Sequence, residues 1–401
     1  MNKYYFTEEH ELFRQSLRTF LEKEVAPNIE KWEEERRTPR DIWKKMGDMG
    51  FLGLSYPEEY GGSNLDFFYD VVFNEEICRM NSGGFAITQQ VVQYMSCPNL
   101  LKYGSEFLKQ KYLPGIISGD LISSIGITEP GAGSDAQNIQ TKAIRDGDHY
   151  VVNGSKTFIT NGIYGDFIIT VVKTDPEAGA AGEGISLLLV DSNLEGFSKG
   201  KPFKKLGLKE SDTCELFFED VKVPKDHIIG EEGMGFIYMM QELPRERLTI
   251  AIQSIGAAHG AIDETIQYVT ERTAFKSPIA GFQNTQFKLA ELATQLQVYQ
   301  AYIDKCIRML SEHKLSAEAA SMAKLGATEL EAKVMDECLQ LHGGYGFIWE
   351  YPIARRYANA RVSRIYGGTN EIMKLMVSRK LLKQFTIAAK AKRKKSAARQ
   401  N

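Results

Sequence analysis

The sequence predicts an α+β protein in which two helical regions flank a β-sheet region. Apolar residues recur at helical spacing near both ends of the chain, whereas the middle is rich in β-branched and aromatic residues punctuated by Gly, Asn and Asp. Because helices and strands do not alternate, the order favours α+β over repeated βαβ units. We predict an N-terminal helical domain over 1–119, a barrel-like middle β-sheet domain over 120–232, a C-terminal four-helix bundle over 233–388 and a basic, disordered tail over 389–401.

The bulk composition is typical of a soluble globular protein. The chain has 401 residues, more than one core usually supports, with 43% hydrophobic and 25% charged residues. A net charge of −3 argues against a nucleic-acid-coating surface, and no apolar run is long enough to span a bilayer. The five scattered cysteines lack metal-ligand spacing and favour reduced thiols in a cytoplasmic protein. The acidic Glu8 and Glu9 follow the first residues at once, so we expect no signal segment, no metal site and no stable membrane insertion.

Long helices are predicted at both ends of the chain. The first covers 7–35, with Thr7 and His10 placed to cap its start, and further helices follow up to about Pro114. Beyond Gly230, apolar stripes predict helices over 237–271, 285–312, 315–342 and 366–388. Such lengths indicate a bundle, and one that can be shared between subunits.

The middle region is predicted to form strands. The segments richest in β-branched and aromatic residues are Tyr150–Val152, Phe167–Val172, Ile185–Val190 and Cys214–Phe218. Asn153 followed by Gly154 is a strong hairpin signal, because a tight hairpin turn needs positive φ angles. We therefore predict a hairpin at this dipeptide.

The tail carries six positive charges: Lys390, Lys392, Arg393, Lys394, Lys395 and Arg399. A solvated, frayed terminus is the favoured interpretation. Contact with nucleic acid or an anionic membrane is the alternative.

The segment 126–135 has the properties of a ligand-binding loop. Gly131 and Gly133 permit close approach of the backbone, and Thr128 and Ser134 supply hydroxyl groups. Such a loop suits an anion or the edge of a flavin ring. It is not a dinucleotide fingerprint, and taken alone it would be a surface turn.

Two further segments lie near the end of the chain: 340–347, which reads QLHGGYGF, and 365–371, which reads IYGGTNE. Together with 126–135 they closely resemble the acyl-CoA dehydrogenase family, and the resemblance runs from Phe6 to about Leu382. It implies an acyl-CoA dehydrogenase-like fold, bound FAD, an acyl-CoA substrate, an electron-transfer flavoprotein as acceptor and a homotetramer. The implied reaction forms a trans-2-enoyl-CoA, with a base taking the α-proton and hydride passing to flavin N5.

The resemblance assigns one group of residues to the flavin. The position of Thr128 bonds the ring, that of Ser134 meets both the pyrophosphate and the substrate, and that of Thr160 lies near N5. Phe158 replaces a more common tryptophan as a ring cover, although a purely structural role on a strand remains the alternative. The implied group is Thr128, Gly133, Ser134, Phe158, Ile159 and Thr160.

A second group is implied to reach the cofactor of a neighbouring subunit. Arg272 is assigned to pyrophosphate, which its planar fork suits, and Phe275 and Gln283 to the adenosine side. Lys276 departs from the usual glycine. A lone arginine at a helix end is more often simply exposed. The full group is Arg272, Phe275, Gln283, Gln340, Gly343, Gly344, Thr369 and Glu371.

The catalytic base is displaced from its commonest position. Many family members have a glutamate where this chain has Gly367, which keeps only a backbone N–H for the thioester carbonyl. A subgroup that includes the long-chain and isovaleryl-CoA dehydrogenases has a glutamate on another helix instead, and Glu246 matches it. The alternative places Glu246 in a first helical turn, with Pro244 near N1. That placement, and the neighbouring arginines, predict a depressed pKa that substrate binding raises.

The predicted substrate contacts are Ser134, Arg245, Arg247, Gly367 and Gly368. The far end of the acyl site is expected at 84–90, where small residues leave room for a long or branched chain. The alternatives are that Gln89 and Gln90 close the site, or that they pair with each other in a helix interface. Long-chain substrates are favoured, and short branched chains are the second choice. An acyl-CoA oxidase and a catalytically silent binding or assembly protein are the remaining alternatives.

Overall fold

The computed structural model describes residues 5–179 and 182–397. Its N-terminal part is helical, and Thr7 N donates to His10 Nδ1 at 3.0 Å to cap the first helix as predicted. The helices are α1 (Glu8–Phe20), α2 (Ile29–Glu35), α3 (Arg40–Asp48), α4 (Phe67–Arg79), α5 (Gly83–Gln90), α6 (Cys97–Tyr103) and α7 (Glu106–Ile117). The predicted helix over 7–35 is therefore divided, with a π-helical turn over Leu21–Val25 between α1 and α2.

The middle part is a mixed sheet in the order β6-β7-β3-β2-β4-β5-β8, with β1 parallel to β4. Its strands are β1 (Ser123–Gly126), β2 (Lys142–Asp146), β3 (His149–Thr160), β4 (Phe167–Lys173), β5 (Ile185–Asp191), β6 (Phe197–Lys199), β7 (Thr213–Pro224) and β8 (Ile228–Ile229). Alternate residues of β4 serve different cores: Phe167 and Ile169 pack with the N-terminal helices, and Ile168 packs within the sheet region. Both faces are therefore covered.

The predicted hairpin at Asn153-Gly154 is wrong. Strand β3 continues through this dipeptide, and the register against β7 shifts there, with Gly154 at a φ of +145°. Asn153 and Asp220 face each other across the two strands, and each accepts one hydrogen bond of 2.9 Å from the other residue. The dipeptide Asn153-Gly154 favours unusual backbone angles, and a β-bulge provides such angles as a turn does. The real turn joins β2 to β3 at Gly147, which has a φ of +60°.

The C-terminal part is a bundle of long helices. It contains α8 (Gly235–Glu271), β9 (Thr273–Ala274), β10 (Ser277–Pro278), α9 (Gln283–Ser311), α10 (Ala317–His342), α11 (Pro352–Ala360) and α12 (Asn370–Ala397). The tail predicted over 389–401 is corrected in part, because α12 continues as far as Ala397. Residues 398–401 lie outside the described part of the chain.

One side chain ties the sheet to a helix of the N-terminal part. Asn161, directly after β3, donates through Nδ2 to Thr88 O of α5 at 3.1 Å and to Ser123 O of β1 at 3.2 Å. It is 2% exposed and has a φ of +60°. The end of β3 is thus fixed against α5. Among the described residues, no helix is long and apolar enough to cross a membrane.

Candidate active site

The glycine pair Gly367-Gly368 forms one wall of the candidate site. Both residues have positive φ, +63° and +88°, which glycine adopts without strain. Arg247 Nε donates to Gly367 O at 3.5 Å, and Lys324 Nζ donates to Gly368 O at 3.0 Å and to Asn370 Oδ1 at 2.9 Å. Lys324 is fully buried, and burial with the nearby Arg247 charge lowers its pKa to about 8. Two buried basic side chains therefore hold this turn.

The space beside Gly367 is taken by a side chain of α8. A Cβ at position 367 would lie 2.4 Å from Ile250 Cδ1, so even alanine would collide. Ile250 follows Glu246 by four residues, and residues so spaced lie on one helix face. Glu246 is thus carried by the same face of α8 that packs against Gly367. The missing side chain at 367 and the carboxyl at 246 belong to one packing arrangement.

Glu246 is a buried carboxyl group, 7% exposed. Burial and the nearby Glu242 raise its pKa to about 8, while Arg247 and Arg245 act in the opposite direction. The predicted depression is therefore wrong. Helix α8 begins at Gly235, about three turns earlier, and a helix dipole acts only on its first turn. The first-turn alternative for Glu246 is excluded, since Pro244 lies inside α8.

The two arginines beside Glu246 point in different directions. Arg247 is buried and lies against the glycine pair, two residues that were predicted, like Arg247 itself, to contact the substrate. Arg245 is half-buried, with a nitrogen 3.6 Å from Asp70 Oδ2 and its guanidinium 5.8 Å from the ring centre of Phe67. It connects α8 to α4 instead of joining the glycine pair.

Two of the predicted flavin segments are joined by a backbone hydrogen bond. Thr157 N donates to Thr128 O at 2.8 Å, which places the loop 126–135 beside the end of β3. The pairing of β3 with β7 shifts register between Lys156 and Ile159, so Phe158 turns outward. Ile159 is buried in the sheet core, and Thr160 is half-buried. The structure therefore places Thr128 beside the segment Phe158–Thr160.

A buried ion pair that the sequence reasoning missed fixes this loop. Glu129 accepts from Lys156 Nζ at 2.7 Å, from Gln140 N at 2.5 Å and from Thr141 N at 3.0 Å. Lys156 is fully buried, and burial lowers its pKa to about 8 despite the opposing Glu129 charge. In the sequence, the only feature that could have indicated this ion pair is Lys156, a lone lysine within the segment that forms β3.

The loop and the bulge fit a flat aromatic cofactor. Phe158 is 67% exposed with a φ of +61°, an unfavourable state for a large apolar side chain without a ligand to cover it. Its ring centre lies 5.6 Å from that of Phe203. A Cβ on Gly131 or Gly133 would meet nothing within 4 Å, so these glycines leave the backbone open to an approaching group. Ser134 is exposed beside them.

The residues assigned to a neighbouring subunit's cofactor collect at the far end of the bundle. The Arg272 guanidinium lies 5.4 Å from the ring centre of Tyr345, and Tyr268 OH donates to His342 O at 3.2 Å. These contacts bring Arg272 to the turn at 343–345. Phe275 is 94% exposed with a φ of +50°. The other exposed members of this group are Gln283, Gln340, Gly343 and Gly344.

This far-end group is well separated from the glycine pair. Arg272 follows Glu246 by 26 residues along α8, which corresponds to about 39 Å at about 1.5 Å per residue. Thr369 and Glu371 do not join it, because they precede and begin α12, next to Gly367-Gly368. Thr369 Oγ1 accepts from Ile372 N at 3.4 Å. The predicted cofactor residues therefore form separate groups in one chain.

Comparisons with known proteins agree with this architecture. Three family models match: acyl-CoA dehydrogenase N-terminal domain over residues 7–120, middle domain over 124–221 and C-terminal domain over 233–382. The long-chain specific acyl-CoA dehydrogenase of Sus scrofa mitochondria is 44% identical over 379 residues, 94% of this chain and 87% of that protein. The caffeyl-CoA reductase-Etf complex subunit CarC of Acetobacterium woodii is 39% identical over 387 residues, 95% of this chain and 100% of that protein.

Solved structures give the same result. An acyl-CoA dehydrogenase from Geobacillus kaustophilus has a TM-score of 0.90 and 46% identity, covering 94% of this chain and 99% of that one. An acyl-CoA dehydrogenase from Bacillus anthracis, complexed with FAD, has a TM-score of 0.89 and 32% identity, covering 96% and 70%. The chain belongs to the acyl-CoA dehydrogenase family. It is an FAD-dependent oxidoreductase, as the resemblance predicted.

Proposed function

We propose that this enzyme dehydrogenates long-chain fatty acyl-CoA thioesters, with Glu246 as the base that removes the α-proton. The observation that carries the proposal is that Gly367 packs against Ile250, which lies on the same face of α8 as Glu246. Ile250 fills the space of a side chain at 367, and the same face of α8 presents a buried carboxyl group. A side chain at position 367 would have to displace the Ile250 terminal methyl group and adopt a left-handed φ, whereas position 246 already carries a buried carboxyl group.

The surroundings of Glu246 suit proton abstraction from a weak carbon acid. Burial raises its pKa to about 8, so its carboxylate is a stronger base than an exposed glutamate and still forms near neutral pH. Gly367 N–H donates to the thioester carbonyl, on which negative charge develops when the α-proton leaves. Arg247, buried beside the turn, holds Gly367 in place. FAD, when bound, supplies the acceptor for the β-hydride.

The length of the acyl site supports a long-chain substrate. A cavity of about 60 Å³ lies between α5, α8 and α11, and Ala86, Gln253 and Ala257 form part of its wall. Gln253 and Ala257 follow Glu246 along α8 by about 10 and 16 Å. An extended acyl chain advances by about 1.3 Å per carbon, given C–C bonds of about 1.5 Å. An acyl chain that runs along α8 from Glu246 therefore reaches the cavity with about its eighth to twelfth carbon.

The far-end group supports an oligomer in which subunits share cofactor sites. Arg272 and Phe275 follow the far end of α8, too distant to serve the flavin near their own Glu246, and Phe275 is almost fully exposed. We therefore place them against FAD of a neighbouring subunit, in a homotetramer. An electron-transfer flavoprotein is the proposed acceptor, since the relative CarC is named as part of an Etf complex. The five cysteines are free, which supports a cytoplasmic location.

Anaerobic bleaching of the bound flavin tests the proposal. Unsubstituted acyl-CoAs from four to eighteen carbons, and isovaleryl-CoA, are mixed with wild-type, Glu246→Gln and Glu291→Gln proteins. We expect bleaching by wild type that is strongest with long chains, and a loss of about 10³-fold or more in Glu246→Gln with flavin retained. Glu291 is an exposed residue of α9, so Glu291→Gln is the matched control and should behave as wild type.

Each other outcome contradicts part of the proposal. Bleaching by Glu246→Gln at the wild-type rate identifies another base, and no bleaching by any thioester identifies a silent homologue. Preference for isovaleryl-CoA makes the enzyme a short branched-chain dehydrogenase. Reoxidation of the bleached wild-type protein by air as fast as by electron-transfer flavoprotein makes it an oxidase.

A further inference from the structure

The cavity between α5, α8 and α11, which Gln253 helps to line, has an unusually polar wall for the end of an acyl-binding site. We call it the tunnel-end cavity; its wall includes Asn81, Ala86, Gln90, Gln253, Glu331 and Tyr366. Tyr366 directly precedes Gly367, so the wall includes the neighbour of the glycine pair. The polar members come from α5, α8 and α10 and from the segments before α5 and before α12. An acyl chain with a methyl end would meet these groups without pairing with them.

Two of these polar side chains lack hydrogen-bond partners within the described part of the chain. Gln90 is 1% exposed, and neither its Nε2 nor its Oε1 is paired. Asn81 Oδ1 is likewise buried and unpaired. Leaving such groups unpaired is costly, so a native site usually supplies a partner from water or ligand. Gln90 offers both a donor and an acceptor to the cavity.

The two charged side chains of the wall, Arg356 and Glu331, are already paired and do not favour an anion. Arg356 donates to Glu264 at 2.7 and 2.8 Å and to Arg79 O at 2.7 Å, so its charge is committed. Glu331 accepts from Ser254 Oγ at 2.9 Å and from Ser363 Oγ at 2.7 Å. Burial raises the pKa of Glu331 to about 7, and its charged form would repel a carboxylate. A neutral group that both donates and accepts fits this wall best.

The volume and position of the cavity limit the group further. About 60 Å³ corresponds to roughly two water molecules, enough for a terminal hydroxymethyl group. The positions of Gln253 and Ala257 along α8 correspond to about the eighth to twelfth carbon of an acyl chain that follows this helix. A hydroxyl at or near the end of a chain of about twelve carbons therefore reaches Gln90.

We propose that the tunnel-end cavity binds a hydroxyl group at the far end of the acyl chain, which makes long-chain hydroxyacyl-CoA thioesters preferred substrates. The inference rests on the proposed function of the same site. Gln90 Nε2 donates to the substrate hydroxyl oxygen, and the hydroxyl donates to Gln90 Oε1 or Asn81 Oδ1. The hydroxyl thereby pairs the unsatisfied groups that a methyl end leaves unpaired.

The test compares dodecanoyl-CoA with 12-hydroxydodecanoyl-CoA, and ten- and fourteen-carbon pairs, using the tetrameric holoenzyme. Flavin bleaching and steady-state kcat/KM are measured with electron-transfer flavoprotein as acceptor. We expect the hydroxylated thioester of the best-fitting length to be preferred about tenfold, the factor that one newly paired buried group supplies. Equal or lower kcat/KM for every hydroxylated member would overturn the inference and mean that the cavity holds only water.

Matched variants assign the preference to the cavity. Gln90→Leu should abolish it and favour the unsubstituted chain, whereas Gln89→Leu should retain it. Gln89 is fully buried and also has both amide atoms unpaired, but it is not part of the cavity wall. Asn81→Ala is a second wall variant in case Gln90→Leu loses flavin, and it should weaken the preference. A preference that survives every folded wall variant overturns the assignment.

The outcomes separate this inference from the proposed function. Bleaching by unsubstituted chains without a hydroxyl preference leaves the dehydrogenase proposal intact and refutes only the cavity assignment. Absence of bleaching by both series refutes the proposed function itself.

Discussion

The surroundings of Glu246 and the far-end group around Arg272 differ in how completely one chain builds them. Beside Glu246, buried Arg247 and Lys324 fix the glycine pair, and Ile250 fills the adjacent space. At the far end, Phe275 is 94% exposed in a left-handed conformation. The first region is packed by its own chain, whereas the second consists largely of exposed side chains, with Phe275 the most exposed. The difference supports the proposal that proton abstraction belongs to a single subunit and that cofactor binding requires a second one.

Among changes outside the proposed base itself, the largest expected effect comes from filling the space beside Gly367. Gly367→Ala should lower kcat/KM about 100-fold and destabilise the fold by about 1–3 kcal/mol, because its Cβ meets Ile250 and its φ is left-handed. Bleaching kinetics and thermal unfolding measure the two effects. Gly367→Ala with Ile250→Ala should recover part of the loss, since the collision is removed. Full activity of the single variant would show that Gly367 does not pack as described.

A mixing experiment tests whether the far-end group serves another subunit. Arg272→Ala should lower FAD affinity about tenfold, as expected for loss of a charged hydrogen-bonding partner of phosphate. Unfolding and refolding Arg272→Ala together with Glu246→Gln should restore some activity, because mixed oligomers combine an intact Glu246 with an intact Arg272. Separately refolded samples, mixed afterwards, are the control. Absence of restoration in proven mixed oligomers would contradict the sharing of sites.

Lys324→Met should affect catalysis more than substrate affinity. The change removes the donor to Gly368 O and Asn370 Oδ1, so the glycine turn loses a fixed position. We expect kcat to fall about tenfold with little change in KM, and the free energy of unfolding to fall by about 1–3 kcal/mol. Lys333→Met, at an exposed position of the same helix, is the control. A rise in KM with unchanged kcat would rule out the positioning role.

The smallest expected effect is a shift in pH dependence. Since burial and Glu242 raise the pKa of Glu246 to about 8, kcat/KM should rise with pH and level off above about 8. Glu242→Gln removes the second cause, so the midpoint should move to lower pH, whereas Glu291→Gln should leave it in place. A midpoint unchanged by Glu242→Gln would show that Glu242 does not act on the base.

The same pKa shift has a consequence for stability. The folded state favours the protonated form of Glu246, so its stabilising contribution is present below the unfolded value of about 4.5 and is lost as pH rises through about 8. Glu246→Gln should not show this loss. Thermal unfolding of both proteins between pH 5 and 9 measures the difference, and parallel curves would contradict it.

The sequence predicted what depends on local pattern. Helical spacing predicted a helix over 237–271, close to α8 at Gly235–Glu271. The predicted fold class is confirmed. The prediction from the sequence failed where one local signal serves two structures, as at Asn153-Gly154, and at Pro244, which lies inside α8 and not near its first residue. Burial, which the local pattern did not reveal, reversed the expected pKa of Glu246. The domain limits and the roles of the site residues stay predictions.

The parts of the site that could not be predicted depend on contacts between distant segments. Lys324 meets Gly368 across 44 positions, and Ile250 meets Gly367 across more than a hundred. Neither residue stands out by type or spacing in its own helix. Glu129 and Lys156 are likewise ordinary until the strands are paired. Buried pairs of this kind become visible only in three dimensions.

The Asn161 tie between β3 and α5 restricts how the acyl site can change during evolution. Its amide joins Thr88 of α5 to Ser123 and to the end of β3, the strand that carries the residues proposed to face the flavin. Moving α5 to admit a larger substrate would therefore disturb the cofactor end as well. New chain lengths are easier to obtain by exchanging side chains such as Ala86 and Gln90 on a stationary helix. Specificity can thus diverge among descendants of this chain while the redox geometry is inherited unchanged.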